Sequence, residues 1–82
     1  MKTFYYVYIL QSEKDLTKHY TGFTENIQNR LHKHNSGGCP HTAKFKPWTI
    51  QNFFAFLSKE KAIAFEKYLK SGSGREFARS HF

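Results

Sequence analysis

The chain of 82 residues lacks the features that mark several common protein classes. Its single cysteine, Cys39, excludes an internal disulfide and favours a reducing compartment. No apolar run reaches the roughly 18 residues that a membrane-spanning helix needs. The apolar stretch near the N-terminus is too short and too rich in tyrosine for a signal peptide. We therefore expect a cytoplasmic protein without membrane association, folded as one domain over residues 1–82.

Acidic residues are also scarce, with 6 Asp and Glu against 13 Lys and Arg, which gives a net charge of +7 and a pI near 9.7. This balance favours a polyanionic partner, because each phosphate that a cation neutralises releases counterions. The alternative is a basic surface that binds no polyanion. Aromatic residues are abundant, and their large side chains help so short a chain to bury a core.

The hydrophobic pattern predicts an α/β (α+β) fold with a three-stranded, mainly antiparallel sheet flanked by helices in the order β-β-α-β-α-α. Residues 3–10 are predicted as the first strand, and the side chains on both of its faces are apolar. This pattern is typical of a central strand that is covered on both sides. Residues 18–21 return as a second strand, and Gly22 ends it. A third strand is predicted over residues 48–57.

The first predicted helix spans residues 25–34, with Thr24 as its N-cap. Arg30 and His34 lie four residues apart, directly beside the apolar stripe of this helix. They should therefore be half-buried at the seam between helix and sheet, where long polar side chains need a partner.

Residues 35–47 are predicted as a loop, and residues 59–70 as the second long helix. Glu66 falls on the core face of that helix, where an acid is costly unless a cation or metal ion compensates it. A last short helix is expected, with Ser73 and Glu76 as a capping box. The apolar residues on the core face of the second helix are Ala62, Phe65 and Leu69.

Five sequence elements occur in a recognisable order and at compatible spacing. They are Tyr6-Val7-Tyr8, Tyr20-Thr21-Gly22, Arg30, His34-Asn35 and Glu66. Together they resemble the GIY-YIG nuclease superfamily, specifically its small single-domain bacterial members. Two motif positions differ, since Tyr6 stands where the family has its first glycine and Thr21 where it has an isoleucine. No residue matches the late asparagine of many family nucleases.

The resemblance implies a metal-dependent endonuclease that hydrolyses DNA phosphodiester bonds with low sequence specificity. Selectivity for DNA structure, in repair or recombination, is a further option. Glu66 would hold a single Mg²⁺ or Mn²⁺, and Arg30 would bind a phosphate through its charged fork. Of Tyr8 and Tyr20, one would be the general base and the other would orient phosphate or water. His34 would relay a proton or contact phosphate.

DNA is the expected partner, and we predict that it is contacted by three lysines: Lys33, Lys44 and Lys46. No small-molecule organic cofactor is expected. The chain has no separate DNA-recognition domain, so a protein partner or a homodimer would direct it to its target.

Each candidate also has a plainer interpretation. Tyrosines on apolar strands are usually core residues, and Arg30 would ordinarily form a structural ion pair, for instance with Glu66. His34 can be a satisfied seam histidine, and Lys44 a solvated loop residue. The alternative function is therefore a basic nucleic-acid-binding module with the nuclease fold but little or no catalytic activity. A zinc site is disfavoured by irregular spacing among Cys39, His32 and His41.

Overall fold

The computed structural model describes residues 3–82; Met1 and Lys2, which open the segment considered as a signal peptide, lie outside the described residues. Seven elements follow in order: β1 (Tyr5–Ser12), β2 (His19–Thr24), α1 (Ile27–Asn35), α2 (Pro40–Ala43), β3 (Trp48–Phe56), α3 (Lys59–Lys70) and α4 (Gly72–His81). The predicted order is confirmed, with the four-residue α2 added inside the predicted loop. None of the helices within residues 3–82 has the length and apolar character that crossing a bilayer requires.

The three strands form one antiparallel sheet in the order β2-β1-β3, so β1 is central, as predicted. The predicted end of the second strand at Gly22 is wrong. β2 continues to Thr24 because Thr24 pairs with Tyr6, and Gly22 pairs with Tyr8 inside the ladder. A register shift in the β1–β3 pairing follows Ile9.

The first helix begins later than predicted, because its cap is Asn26 and not Thr24. The Asn26 side chain accepts a hydrogen bond from the Asn29 backbone N–H at 3.0 Å, which satisfies a free donor of the first turn. Thr24 remains in β2, and its hydroxyl accepts from the Asn26 N–H at 3.1 Å. The Asn35 side-chain amide, at the end of α1, donates to the Trp48 carbonyl and fixes the helix against β3.

The last helix is capped by Ser71, whose hydroxyl accepts from the Gly74 N–H at 3.1 Å. The predicted capping box of Ser73 and Glu76 is therefore wrong, and Glu76 instead pairs with Arg79. The cap of α3 is Ser58.

Two apolar clusters cover the two faces of the sheet. On one face, Val7 and Ile9 pack with Ala62 and Leu69 of α3, and Phe65 joins this cluster, as predicted. On the other face lies the second cluster, made of Tyr8, Leu10 and Trp48 with Tyr20, Leu31 and Phe45 against it. The tyrosines of both sequence motifs therefore lie on the face that α1 covers.

Candidate active site

Tyr8 occupies the centre of the sheet and is only 2% exposed. Its cross-strand partner is Gly22, and a Cβ atom at Gly22 would overlap the Tyr8 hydroxyl. Only glycine leaves room for the phenol at this position, since every other residue carries a Cβ. Gly22 therefore fixes where the Tyr8 hydroxyl lies.

A chain of buried hydrogen bonds runs from Tyr8 through His34 to Thr42. The Tyr8 hydroxyl lies 3.1 Å from His34 Nε2, and His34 Nδ1 lies 2.8 Å from Thr42 Oγ1. The Thr42 hydroxyl donates its one proton to the Cys39 carbonyl at 3.2 Å, so it accepts from His34 Nδ1–H. In the neutral imidazole, Nε2 is then the acceptor and the Tyr8 hydroxyl is the donor.

The surroundings of this chain favour its neutral form. Burial lowers the pKa of His34, and the positive charges of Arg30 and Lys33 lower it further. Burial likewise raises the pKa of Tyr8, and Tyr20 adds to that effect. At neutral pH the phenol is therefore protonated and the imidazole uncharged, which is the state that a proton transfer from Tyr8 to His34 requires.

Arg30 and Glu66 act on Tyr8 with opposite sign. Burial and Tyr20 have the largest effects on the pKa of Tyr8, and both raise it. The charge of Arg30 comes next and lowers this pKa, whereas the charge of Glu66 raises it. Both groups thus lie within electrostatic range of the same hydroxyl, although they come from helices on opposite faces of the sheet. The half-buried Arg30 forms no ion pair with Glu66 within residues 3–82, which argues against the structural pair considered from the sequence.

Glu66 reaches the site at the edge formed by β2. Its Oε2 atom pairs with Lys70 Nζ at 3.2 Å, and Lys70 Nζ lies 5.8 Å above the Tyr20 ring. The Tyr20 ring in turn lies 4.8 Å from the His34 ring and 6.3 Å from the Tyr8 ring, centroid to centroid. A continuous set of contacts therefore joins Glu66 to the buried chain. Its members, in order, are Glu66, Lys70, Tyr20, His34 and Tyr8.

The donor chemistry around Glu66 suits an open magnesium site. Its side chain is 21% exposed, and the Lys70 side chain that pairs with it is 49% exposed. Residues 3–82 contain no group of three His, Cys, Asp or Glu side chains that could enclose a metal ion. One carboxylate is compatible with Mg²⁺, which keeps several waters and takes further ligands from substrate phosphates.

A cleft of about 450 Å³ opens beside this set of contacts. Tyr20 and Thr42 line it, together with Lys70. Arg30 and Glu66 are absent from its lining among the described residues, and Tyr8 and His34 lie beneath the surface. The structure thus brings Tyr8, Tyr20 and His34 into contact and links Glu66 to them through Lys70, whereas Arg30 acts on Tyr8 through its charge.

The three predicted DNA-binding lysines are all exposed, on the side of α1 and α2. Lys33 packs its stem over Gly38, and Lys46 reaches the neighbouring Gly37. Lys44 lies 5.5 Å from the Phe45 ring centroid. Their contact with DNA stays a prediction.

Three residues of this region were not given a role from the sequence: Thr42, Lys70 and Lys18. Thr42 lies in a segment predicted as a loop, so nothing local pointed to its bond with His34. Lys70 follows Glu66 by four residues, and this spacing was a usable signal for the ion pair. Lys18 lies 5.5 Å from the Phe45 ring centroid, a contact between segments far apart in the chain.

Comparison with known proteins identifies relatives over nearly the whole chain. The family described as GIY-YIG catalytic domain matches residues 4–79. A UPF0213 protein of Halalkalibacterium halodurans is 37% identical over 73 residues, which cover 88% of this chain and 76% of that protein. A UPF0213 protein of Haloquadratum walsbyi is 33% identical over 73 residues, covering 87% of this chain and 79% of that protein.

A third relative is a structure-specific endonuclease subunit, SLX1, of Debaryomyces hansenii. It is 40% identical over 74 residues, which are 82% of this chain but 21% of that protein. The similarity therefore concerns one part of a much longer polypeptide.

Proposed function

The chain belongs to the GIY-YIG catalytic domain family, and we propose that it is an endonuclease that hydrolyses DNA phosphodiester bonds with a single Mg²⁺ or Mn²⁺. The observation that carries the proposal is the buried chain of hydrogen bonds from Tyr8 through His34 to Thr42. The charges of Arg30 and Glu66 act on its Tyr8 hydroxyl with opposite sign. The similarity to a structure-specific endonuclease subunit supports selectivity for the structure of the substrate. In this proposal the substrate is branched DNA, which is cut with low sequence specificity.

In this proposal Tyr8 is the general base. Its oxygen takes a proton from the attacking water while its own proton passes to His34 Nε2. No free phenolate forms, which matters because burial raises the pKa of Tyr8. Thr42 accepts from His34 Nδ1–H and so keeps the Nε2 lone pair directed at Tyr8.

Arg30 and Tyr20 bind the phosphate. The Arg30 guanidinium offers paired donors to non-bridging oxygens and stabilises the negative charge that develops in the transition state. Tyr20 lines the cleft and orients the phosphate or the water. Glu66 would hold the metal ion, which would supply Lewis-acid stabilisation of the leaving oxygen.

Incubation with supercoiled plasmid and with branched DNA, with Mn²⁺ or with EDTA, tests the activity. The proposal expects nicked plasmid and cleaved branches only when the metal is present. Absence of cleavage in both conditions, with DNA still bound, would establish the second candidate, a nucleic-acid-binding module.

One observation favours that second candidate. Tyr8 and His34 are 2% and 1% exposed, so attack requires a water molecule to reach a nearly closed hydroxyl. A binding module would need only the exposed lysines and would tolerate substitution of Tyr8, apart from its effect on stability.

A further inference from the structure

A second and larger cleft lies on the other side of β2. It has a volume of about 850 Å³ and opens between the β1–β2 hairpin and α4. Its apolar lining comes from both the sheet and the helices: Ile9, Leu69, Ala78 and Phe82. The volume lies within the range of about 300–1,000 Å³ that ligand pockets have. Apart from Tyr20, no residue given a role in the proposed reaction lines this cleft.

The rim of the cleft is strongly basic. Four basic side chains line it: Lys18, Lys70, Arg75 and Arg79. Among the described residues of the lining, none has an acidic side chain. Arg79 is held by Glu76 at 2.6 Å and Lys70 by Glu66, whereas Arg75 forms no ion pair with residues 3–82. A rim of this charge favours a polyanionic ligand.

The cleft adjoins the candidate active site. Tyr20 and Lys70 line both clefts, as do Lys18 and His19. A strand with a phosphate beside Tyr20 would therefore reach the larger cleft by passing Lys70.

The apolar lining suits a single-stranded ligand better than a duplex. A duplex keeps its bases stacked inside and presents phosphates, so it would leave Ile9 and Phe82 unused. A single strand offers base faces that stack on aromatic rings, and Phe82, an aromatic residue of the lining, is 39% exposed. Cations along a groove together with an aromatic floor are the usual means of holding unpaired nucleotides.

We infer that the cleft between the β1–β2 hairpin and α4 binds a single-stranded polynucleotide. Combined with the proposed nuclease activity, on which this part rests, the cleft holds the unpaired arm of a branched substrate whose cut lies beside Tyr20. The binding itself requires no catalysis, so it is tested separately.

The test is fluorescence anisotropy in EDTA, where no cleavage occurs, with a labelled oligo-dT, an oligo-rU and a blunt duplex of equal length. Arg75→Gln should weaken single-strand binding about tenfold. It should also make the negative slope of log K against log salt shallower by about 0.7, the value for one phosphate contact. Lys67→Gln is the matched control, because Lys67 is exposed on α3 outside the cleft. It should weaken binding less than twofold.

Phe82→Ala tests the stacking independently of charge. It should weaken single-strand binding at least about fivefold and leave duplex binding unchanged. The relative affinities for dT and rU identify the sugar that the cleft accepts.

Equal effects of Arg75→Gln and Lys67→Gln would overturn the inference, as would equal loss of duplex and single-strand binding in Phe82→Ala. Displacement of oligo-dT by polyglutamate at matched charge concentration would also overturn it, because the ligand would then be an acidic polypeptide. These outcomes are independent of plasmid cleavage, so a failed nuclease assay leaves the binding result intact.

Discussion

The two motif tyrosines should respond very differently to loss of the hydroxyl. Tyr8→Phe removes the donor to His34 Nε2, so it leaves a buried acceptor unsatisfied at a cost of about 1–3 kcal/mol. For a domain of this size, each kcal/mol lowers the melting temperature by about 4–8 °C. The Tyr20 hydroxyl makes no hydrogen bond with the described residues, so Tyr20→Phe should change stability by at most about 0.5 kcal/mol.

The effect on cleavage separates the two residues further. Loss of a general base typically lowers a rate by about 10²–10⁴-fold, which is the range expected for Tyr8→Phe. Tyr20→Phe removes one orienting contact, which should raise the activation free energy by at most about 1.4 kcal/mol. The cleavage rate should therefore fall about tenfold or less. The assay is single-turnover nicking of supercoiled plasmid in Mn²⁺, with melting temperatures measured by differential scanning fluorimetry on the same samples. A Tyr8→Phe protein that cleaves within tenfold of wild type, while Tyr20→Phe is inactive, would refute the assignment.

Three further predictions concern the surroundings of Tyr8. Thr42→Val should lower cleavage and shift the pH profile, since His34 loses the partner that fixes its tautomer; unchanged rate and profile would contradict this role. Stability should fall as pH drops below 6.5, because the lowered pKa of His34 lets the unfolded chain bind more protons than the folded one. Urea titrations at pH 5 and pH 7 measure this difference, which His34→Gln should reduce. Gly22→Ala should displace the Tyr8 ring and so lower both the melting temperature and the cleavage rate. Gly72→Ala is the matched control, because a Cβ atom at Gly72 would meet no other atom within 4 Å, and it should lower both quantities less.

Much of the site followed from local spacing. Arg30 and His34 lie four residues apart, and this spacing places both on the α1 face that meets the sheet. Glu66 falls on the apolar face of its helix by the same periodicity, and the structure finds it partly buried there. His34 is more deeply buried than the half-buried seam position that the sequence suggested.

Other features depend on contacts that local patterns do not encode. Thr24 looked like a helix cap because threonine is a good one, but pairing with Tyr6 extended β2 and moved the cap to Asn26. The role of Thr42 arises only when α2 packs against α1, and the basic cleft only when α4 folds back beside the hairpin. These are tertiary effects, for which propensity is a weak guide.

The most direct test of the proposed reaction is the rate of plasmid nicking by Glu66→Gln in Mn²⁺, compared with Glu60→Gln, an exposed acid in the first turn of the same helix. Loss of the metal-binding carboxylate should reduce nicking by at least about 10²-fold while DNA binding in EDTA persists, and Glu60→Gln should cleave like wild type. Equal nicking by both variants would contradict a metal-dependent reaction centred on Glu66.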